Sequence, residues 1–116
     1  MAKTNNIKNK DEKVLELTNG KFNEFVGKGL VLIDFYADWC MPCLMMAPIM
    51  EELSEKFKGK IKFGKLNIED NQELSQKFRI SSIPNMILFN NGQVLKQFVG
   101  SMPAEDFEEK LKVFVR

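Results

Sequence analysis

Residues 30–43 read Leu30-Val31-Leu32-Ile33-Asp34-Phe35-Tyr36-Ala37-Asp38-Trp39-Cys40-Met41-Pro42-Cys43, and the fold turns on how they are read. Leu30 to Tyr36 is a nearly continuous apolar run, the pattern of a strand buried on both faces of a partly parallel sheet. It leads into the only two cysteines of the chain, three apart, at the mouth of a helix that runs to about Phe57. At a helix N-terminus the unsatisfied backbone N–H groups and the macrodipole favour negative charge. The first sulfur is thereby stabilised as thiolate, the form that attacks disulfides. The second, one turn later, lies within reach of the first. The pair reads as a reversible two-electron switch.

Blander readings of the pair carry less weight. Cysteine is a small, commonly buried hydrophobe, but chance core cysteines do not explain the strand-then-helix context. A structural zinc site takes four N or S ligands, and this chain has no third cysteine and no histidine. Only a metal bridging two copies would close such a site, so no metal is expected. A purely structural bridge across so short a loop removes little unfolded-state entropy.

Composition places the chain among ordinary globular domains. Its 116 residues are enough for one core without a disulfide scaffold. Seventeen basic and 16 acidic residues leave a net charge of +1 and no basic stripe, so nucleic acid and anionic membrane are not expected partners. No apolar run is long enough to span a bilayer. The opening Met1–Lys10 carries positive charge with no apolar stretch behind it, unlike a secretory signal. Residues 1–12 read as a flexible polar tail and 13–116 as one domain. A reducing cytoplasm is the expected compartment, and there a disulfide is usually transient and catalytic.

The rest of the chain fills in an α/β order. Val14–Leu17 reads as a first strand. Thr18 or Asn19 can cap a brief helix carrying Phe22, Phe25 and Val26, which Gly27-Lys28-Gly29 ends. In the helix after Cys40, Met46, Met50, Leu53 and Phe57 form a core stripe, Met45 is expected in the core with them, and Pro48 should kink it. Ile61–Leu66 is a strand and Asn71–Phe78 a short helix with Leu74 and Phe78 inward. Met86–Phe89 and Val94–Val99 pair around Asn90-Asn91-Gly92, the residue types of a type I′ hairpin. A last helix follows Pro103, with Glu105 and Asp106 at its positive end and Lys110, Lys112 and Arg116 toward its negative end. Phe107, Leu111 and Phe114 face the core. The order β-α-β-α-β-α-β-β-α implies a mixed five-stranded central sheet with four helices on its two faces.

Several residues near the cysteines have two readings each. Asp34 inside an apolar run is desolvated, which raises its pKa toward neutrality; equally, it could be a strand-end residue bonded to backbone. Lys65 could simply snorkel to solvent. Pro84 could merely end a loop, since only about 5–6% of X–Pro bonds are cis. Gly100 could be a plain turn, and Trp39 a core aromatic with one exposed edge. Met41, between the cysteines, should be exposed, and with Trp39 and Ile83 would form an adaptable apolar patch for varied protein partners.

Asp34-Phe35-Tyr36-Ala37-Asp38-Trp39-Cys40-Met41-Pro42-Cys43 with Ala47-Pro48 resembles the thioredoxins, as do Lys65-Leu66-Asn67-Ile68-Glu69, Ile83-Pro84 and Val99-Gly100. The likeness covers about residues 14–115 in order and spacing, the context in which Cys-x-x-Cys reads as a redox motif. It implies the thioredoxin fold and a protein-disulfide reductase without bound cofactor, re-reduced by a thioredoxin reductase. It further implies Asp34 as the buried acid that exchanges a proton with Cys43, Lys65 as its pairing lysine, and a cis Pro84 facing the cysteines. The backbone of Ile83 would then pair with an extended substrate, which Gly100 admits from the other side.

Three positions depart from the family pattern. Met41 stands for the customary glycine, Leu44 for a lysine and Asn85 for a threonine, so the reduction potential is expected to be this chain's own. Pro42 and the helix N-terminus shape the reactive site. The expected function is thiol-disulfide exchange by a monomer acting on disulfide-containing proteins. The alternative is a binding or assembly module of the same fold whose redox activity is incidental.

Overall fold

Five strands and four helices alternate as the sequence implies in the computed structural model, which describes residues 14–115. The strands are β1 (Val14–Glu16), β2 (Leu30–Tyr36), β3 (Ile61–Asn67), β4 (Asn85–Asn90) and β5 (Gln93–Val99). The helices are α1 (Asn19–Val26), α2 (Met41–Lys56), α3 (Gln72–Lys77) and α4 (Ala104–Lys112). The tail reading of residues 1–12 and the placement of Arg116 lie outside the described residues.

The sheet order is β1-β3-β2-β4-β5. β1 and β2 each run parallel to β3, whereas β2–β4 and β4–β5 are antiparallel. β2 therefore sits at the centre, and its residues 31–35 are all buried, as the unbroken apolar run requires. Successive side chains go to opposite faces. Val31, Ile33 and Phe35 join Phe22, Val26, Leu66 and Phe89 on one side; Leu32 joins Met46, Met50, Leu53 and Phe107 on the other. On the first side Phe22, Phe78 and Phe89 lie mutually 5.5 Å apart, centroid to centroid, a ring cluster of tilted and edge-on contacts.

Local chemistry accounts for the element ends. Asn91 and Gly92 take φ of 52° and 87°, the positive pair that a two-residue type I′ hairpin requires. Thr18 is the N-cap of α1 without a side-chain cap bond; instead the Asn19 N–H donates to Asn71 Oδ1 at 3.0 Å, from 52 residues away. α2 remains unbroken across Pro48, which lies on its exposed side, where water can reach the carbonyl that proline leaves unpaired. Met45 corrects the core expectation: it is 64% exposed, because it falls one residue, about 100°, off the Met46–Met50–Leu53 stripe. In α4, Phe107 and Leu111 are buried, while Phe114 lies past the helix end and packs only partly.

Among the described residues, no helix is long and apolar enough to cross a membrane.

Candidate functional site

β2 ends at Tyr36, and the chain turns through Asp38 and Trp39 to deliver Cys40 as the N-cap of α2. Met41 and Pro42 open the helix, a position that suits proline because the first N–H groups have no helical partner. Cys40 and Cys43 are joined as a disulfide with Cα atoms 5.2 Å apart. The backbone N–H of Cys43 donates to Cys40 Sγ at 3.2 Å. The sulfur thus occupies the acceptor position of a helix cap, where negative charge is stabilised. Both cysteines are nearly buried, at 5% and 3% exposure, and pack with Ala37 and the half-buried Ile83.

Around the disulfide the surface is apolar. Trp39 and Met41 are 66% and 64% exposed, as expected of Met41, and Leu44 and Met45 extend the same ridge along α2. Trp39 is no core aromatic: its indole N–H donates to Glu69 Oε2 at 2.6 Å, which pins the ring beside the cysteines. Glu69 stands 30 residues from Trp39 in the chain, so no local pattern signals this contact.

Opposite the disulfide lies the loop before β4. The Ile83–Pro84 bond is cis, and the Ile83 carbonyl oxygen comes 3.8 Å from Cys40 Sγ. The Gly100 N–H donates to the Pro84 carbonyl at 2.8 Å, tying the end of β5 to the same loop. Gly100 has φ +94° and open space where a Cβ would stand, so the backbone conformation, more than crowding, favours glycine there. Asn85, buried next to Pro84, accepts through Oδ1 from Gln97 Nε2 at 3.0 Å.

Behind the disulfide a cleft of about 200 Å³ connects Cys43 with Asp34, Lys65 and Leu44. That volume is room for several waters at about 30 Å³ each. Asp34 is 4% exposed, and among the described residues its Oδ1 finds no hydrogen-bond partner. Burial pushes its pKa up to about 7; the Lys65 charge pulls it down and the Glu16 charge adds a further rise. Among the described residues Oδ1 is thus not held by backbone, and burial moves the ionisation of Asp34 toward neutrality.

Lys65 lies beside Asp34 in the β2–β3 register, but among the described residues its ion pair is with Glu16 and not with Asp34. Its ammonium is 4.0 Å from Glu16 Oε1 and 5.9 Å from the centroid of the Tyr36 ring. The expected pairing of Lys65 with the acid is thus an electrostatic one through space. Tyr36 donates its hydroxyl to Glu16 Oε1 at 2.6 Å. Burial, first, and that carboxylate push the phenol well above its usual range. The contact between Glu16 and Tyr36 has no local signal in the sequence, because their meeting depends on the register of three strands. Among the described residues, no cluster of three or more His, Cys, Asp or Glu side chains is placed to hold a metal ion.

Comparison with known proteins points the same way as the geometry. The family profile described as Thioredoxin matches residues 13–113. The chain is 44% identical over 101 residues to a thioredoxin of Buchnera aphidicola subsp. Acyrthosiphon pisum, covering 85% of this chain and 94% of that one. It is 43% identical to a thioredoxin of Alicyclobacillus acidocaldarius subsp. acidocaldarius, over 84% and 93% of the two chains. With a thioredoxin of Staphylococcus haemolyticus it shares 38% identity over 84% and 94%.

Proposed function

Because the chain belongs to the thioredoxin family and is a thiol-disulfide oxidoreductase that reduces protein disulfides, we propose that Cys40 is its nucleophile, Cys43 its resolving thiol and Asp34 the acceptor of the Cys43 proton. The observation that carries this assignment is the cleft shared by Asp34 and Cys43 behind a sulfur that caps a helix.

The Cys40 thiolate attacks one sulfur of a substrate disulfide. That S–S bond breaks, a mixed disulfide forms, and the first substrate sulfur leaves as thiolate. Cys43 then gives its proton to the Asp34 carboxylate through the cleft and attacks Cys40 Sγ. The second substrate sulfur leaves, and the Cys40–Cys43 disulfide closes. Two electrons have passed from the dithiol to the substrate. The joined cysteines of this structure correspond to that product state. A thioredoxin reductase returns the electrons, so the chain needs no bound cofactor of its own.

Substrate docks, on this reading, across Trp39, Met41, Ile83, Pro84 and Gly100. The exposed aromatic and thioether supply apolar contact, and the Ile83–Pro84 backbone supplies a strand-like edge beside Cys40. Pro42 and Lys65 tune the pair, the first by shaping the helix start and the second by the pull of its charge on Asp34. The protein acts as a monomer in the cytoplasm, serving electron transport to protein disulfides and redox homeostasis. Two cysteines used as a switch, with none used as scaffold, suit a reducing compartment. Family membership together with the joined cysteines favours this chemistry over a binding module in which redox activity is incidental.

Two variants test the assignment. Cys40→Ser should reduce insulin by dithiothreitol no faster than the uncatalysed rate. Cys43→Ser should accumulate dithiothreitol-sensitive adducts with protein partners, visible by mass spectrometry. Full insulin reduction by Cys40→Ser would remove Cys40 from the role of nucleophile.

A further inference from the structure

We propose that Glu16 is a positioning residue for proton transfer at Asp34: it engages the Lys65 ammonium from the outer edge of the sheet and so withholds that charge from the buried carboxyl. The proposal rests on the assignment of Asp34 as proton acceptor and extends it to β1.

The register places the three groups in one row. Glu16 is paired with Lys65 across β1–β3, and Lys65 with Asp34 across β3–β2. Partners aligned in this way point to the same face of a sheet, and adjacent strands lie about 4.8 Å apart. Lys65 therefore stands between two carboxylates and can be shared between them. Its ammonium is found 4.0 Å from Glu16, while among the described residues Asp34 Oδ1 has no hydrogen-bond partner.

Solvation explains the choice. The side chains of Lys65 and Glu16 are 31% and 44% exposed, so their charges keep part of their hydration when they meet. Drawing the ammonium inward to Asp34 would strip it of water. Tyr36 reinforces the outer position, since its hydroxyl donates to Glu16 at 2.6 Å and its ring faces the ammonium.

The other groups facing Asp34 leave the decision to Lys65. Tyr36 and Asp38 come from β2 and the turn after it, Cys43 and Glu51 from α2, and the β4 partner of Asp34 is the uncharged Met86. Among the described residues lining the cleft, Lys65 is the one cation. Where its charge sits governs how readily Asp34 keeps a proton. A carboxyl left without its cation is a stronger base, better matched to a thiol near neutral pH.

The test follows Asp34 directly by carboxyl ¹³C titration of the oxidised protein, in which the cysteines do not titrate. The resonance is assigned by its loss in Asp34→Asn. Glu16→Gln retains an acceptor for the Tyr36 hydroxyl, and a thermal melt checks its fold. It should lower the Asp34 midpoint by at least about half a pH unit. Lys65→Met should raise the midpoint, and in that background Glu16→Gln should have less than half its effect.

An unmoved midpoint in Glu16→Gln overturns the proposal. So does an equal shift with and without Lys65, which would mean that Glu16 acts by its own charge alone. The pH profile of the resolving step, read by stopped flow, should follow the midpoint in Glu16→Gln. If that profile survives Asp34→Asn unchanged, the Asp34 assignment itself fails, whatever the titrations show.

Discussion

The two faces of β2 are equally buried and do different things. Toward α1 and α3 the strand presents Val31, Ile33 and Phe35 to an all-apolar cluster that includes Phe22, Phe78 and Phe89. Toward α2 it presents Leu32 and then, two residues on, Asp34. None of residues 31–35 exceeds 4% exposure. Equal burial therefore hides unequal cost. Apolar groups gain free energy on leaving water, whereas a carboxyl that leaves water without a partner loses it. The first face contributes stability; the second gives some of it up at the position nearest the cleft to Cys43.

The largest effect expected from disturbing this division is on the apolar face. Phe22→Ala removes a ring that is 1% exposed and touches two other phenylalanines, which should cost about 3–5 kcal/mol in urea unfolding. Insulin reduction by the folded fraction should not change. A loss of reduction beyond the loss of folded protein would show that the two faces are coupled.

Asp34→Asn addresses the other face. In the folded protein the Asp34 pKa is raised from 3.8 to about 7, so the folded state binds this proton more tightly than the unfolded chain does. Below both values the group is protonated in either state and carries no penalty. As pH rises between them the unfolded chain ionises first, and stability falls. At 1.36 kcal/mol per pH unit the fall is on the order of 4 kcal/mol by about pH 8. Denaturant melts from about pH 4 to pH 8 should show this decline in the parent and lose it in Asp34→Asn. The same variant should slow the resolving step while leaving the first attack by Cys40 intact. A parent and variant with parallel pH–stability curves would mean that Asp34 is not the source of the slope.

The smallest expected effect is the sharpest control. Ile33→Val alters the residue next to Asp34 in the chain but on the opposite face. It should cost about 0.5–1.5 kcal/mol and leave the Asp34 titration midpoint where it was. A shifted midpoint would show that packing on the apolar face reaches the carboxyl.

Much of this was legible in the chain. The apolar run with one acid inside it marked the central strand, and the Cys-x-x-Cys after it marked the helix start. Asn91-Gly92 announced the hairpin, and the Met46–Met50–Leu53 stripe announced the buried face of α2. These are local signals, carried by period, cap and turn chemistry. Met45 was misplaced because several methionines close together look alike until the helix phase is known. Glu69 under Trp39, Asn71 at the start of α1 and Glu16 beside Lys65 left no local trace. Each contact joins residues at least 30 apart through strand register and loop path.

The sequence by itself determined the elements, their order, the redox pair and the presence of a carboxyl that had to be buried. Composition and periodicity act through neighbours in the chain, so these could be read residue by residue. The tertiary structure alone decided the Glu69 carboxylate under Trp39, the cleft that joins Asp34 to Cys43, and the placement of the Lys65 ammonium beside Glu16. Each of these is a competition for solvation or space among groups from different strands and helices. Such a competition is settled only when the sheet brings its members to one face.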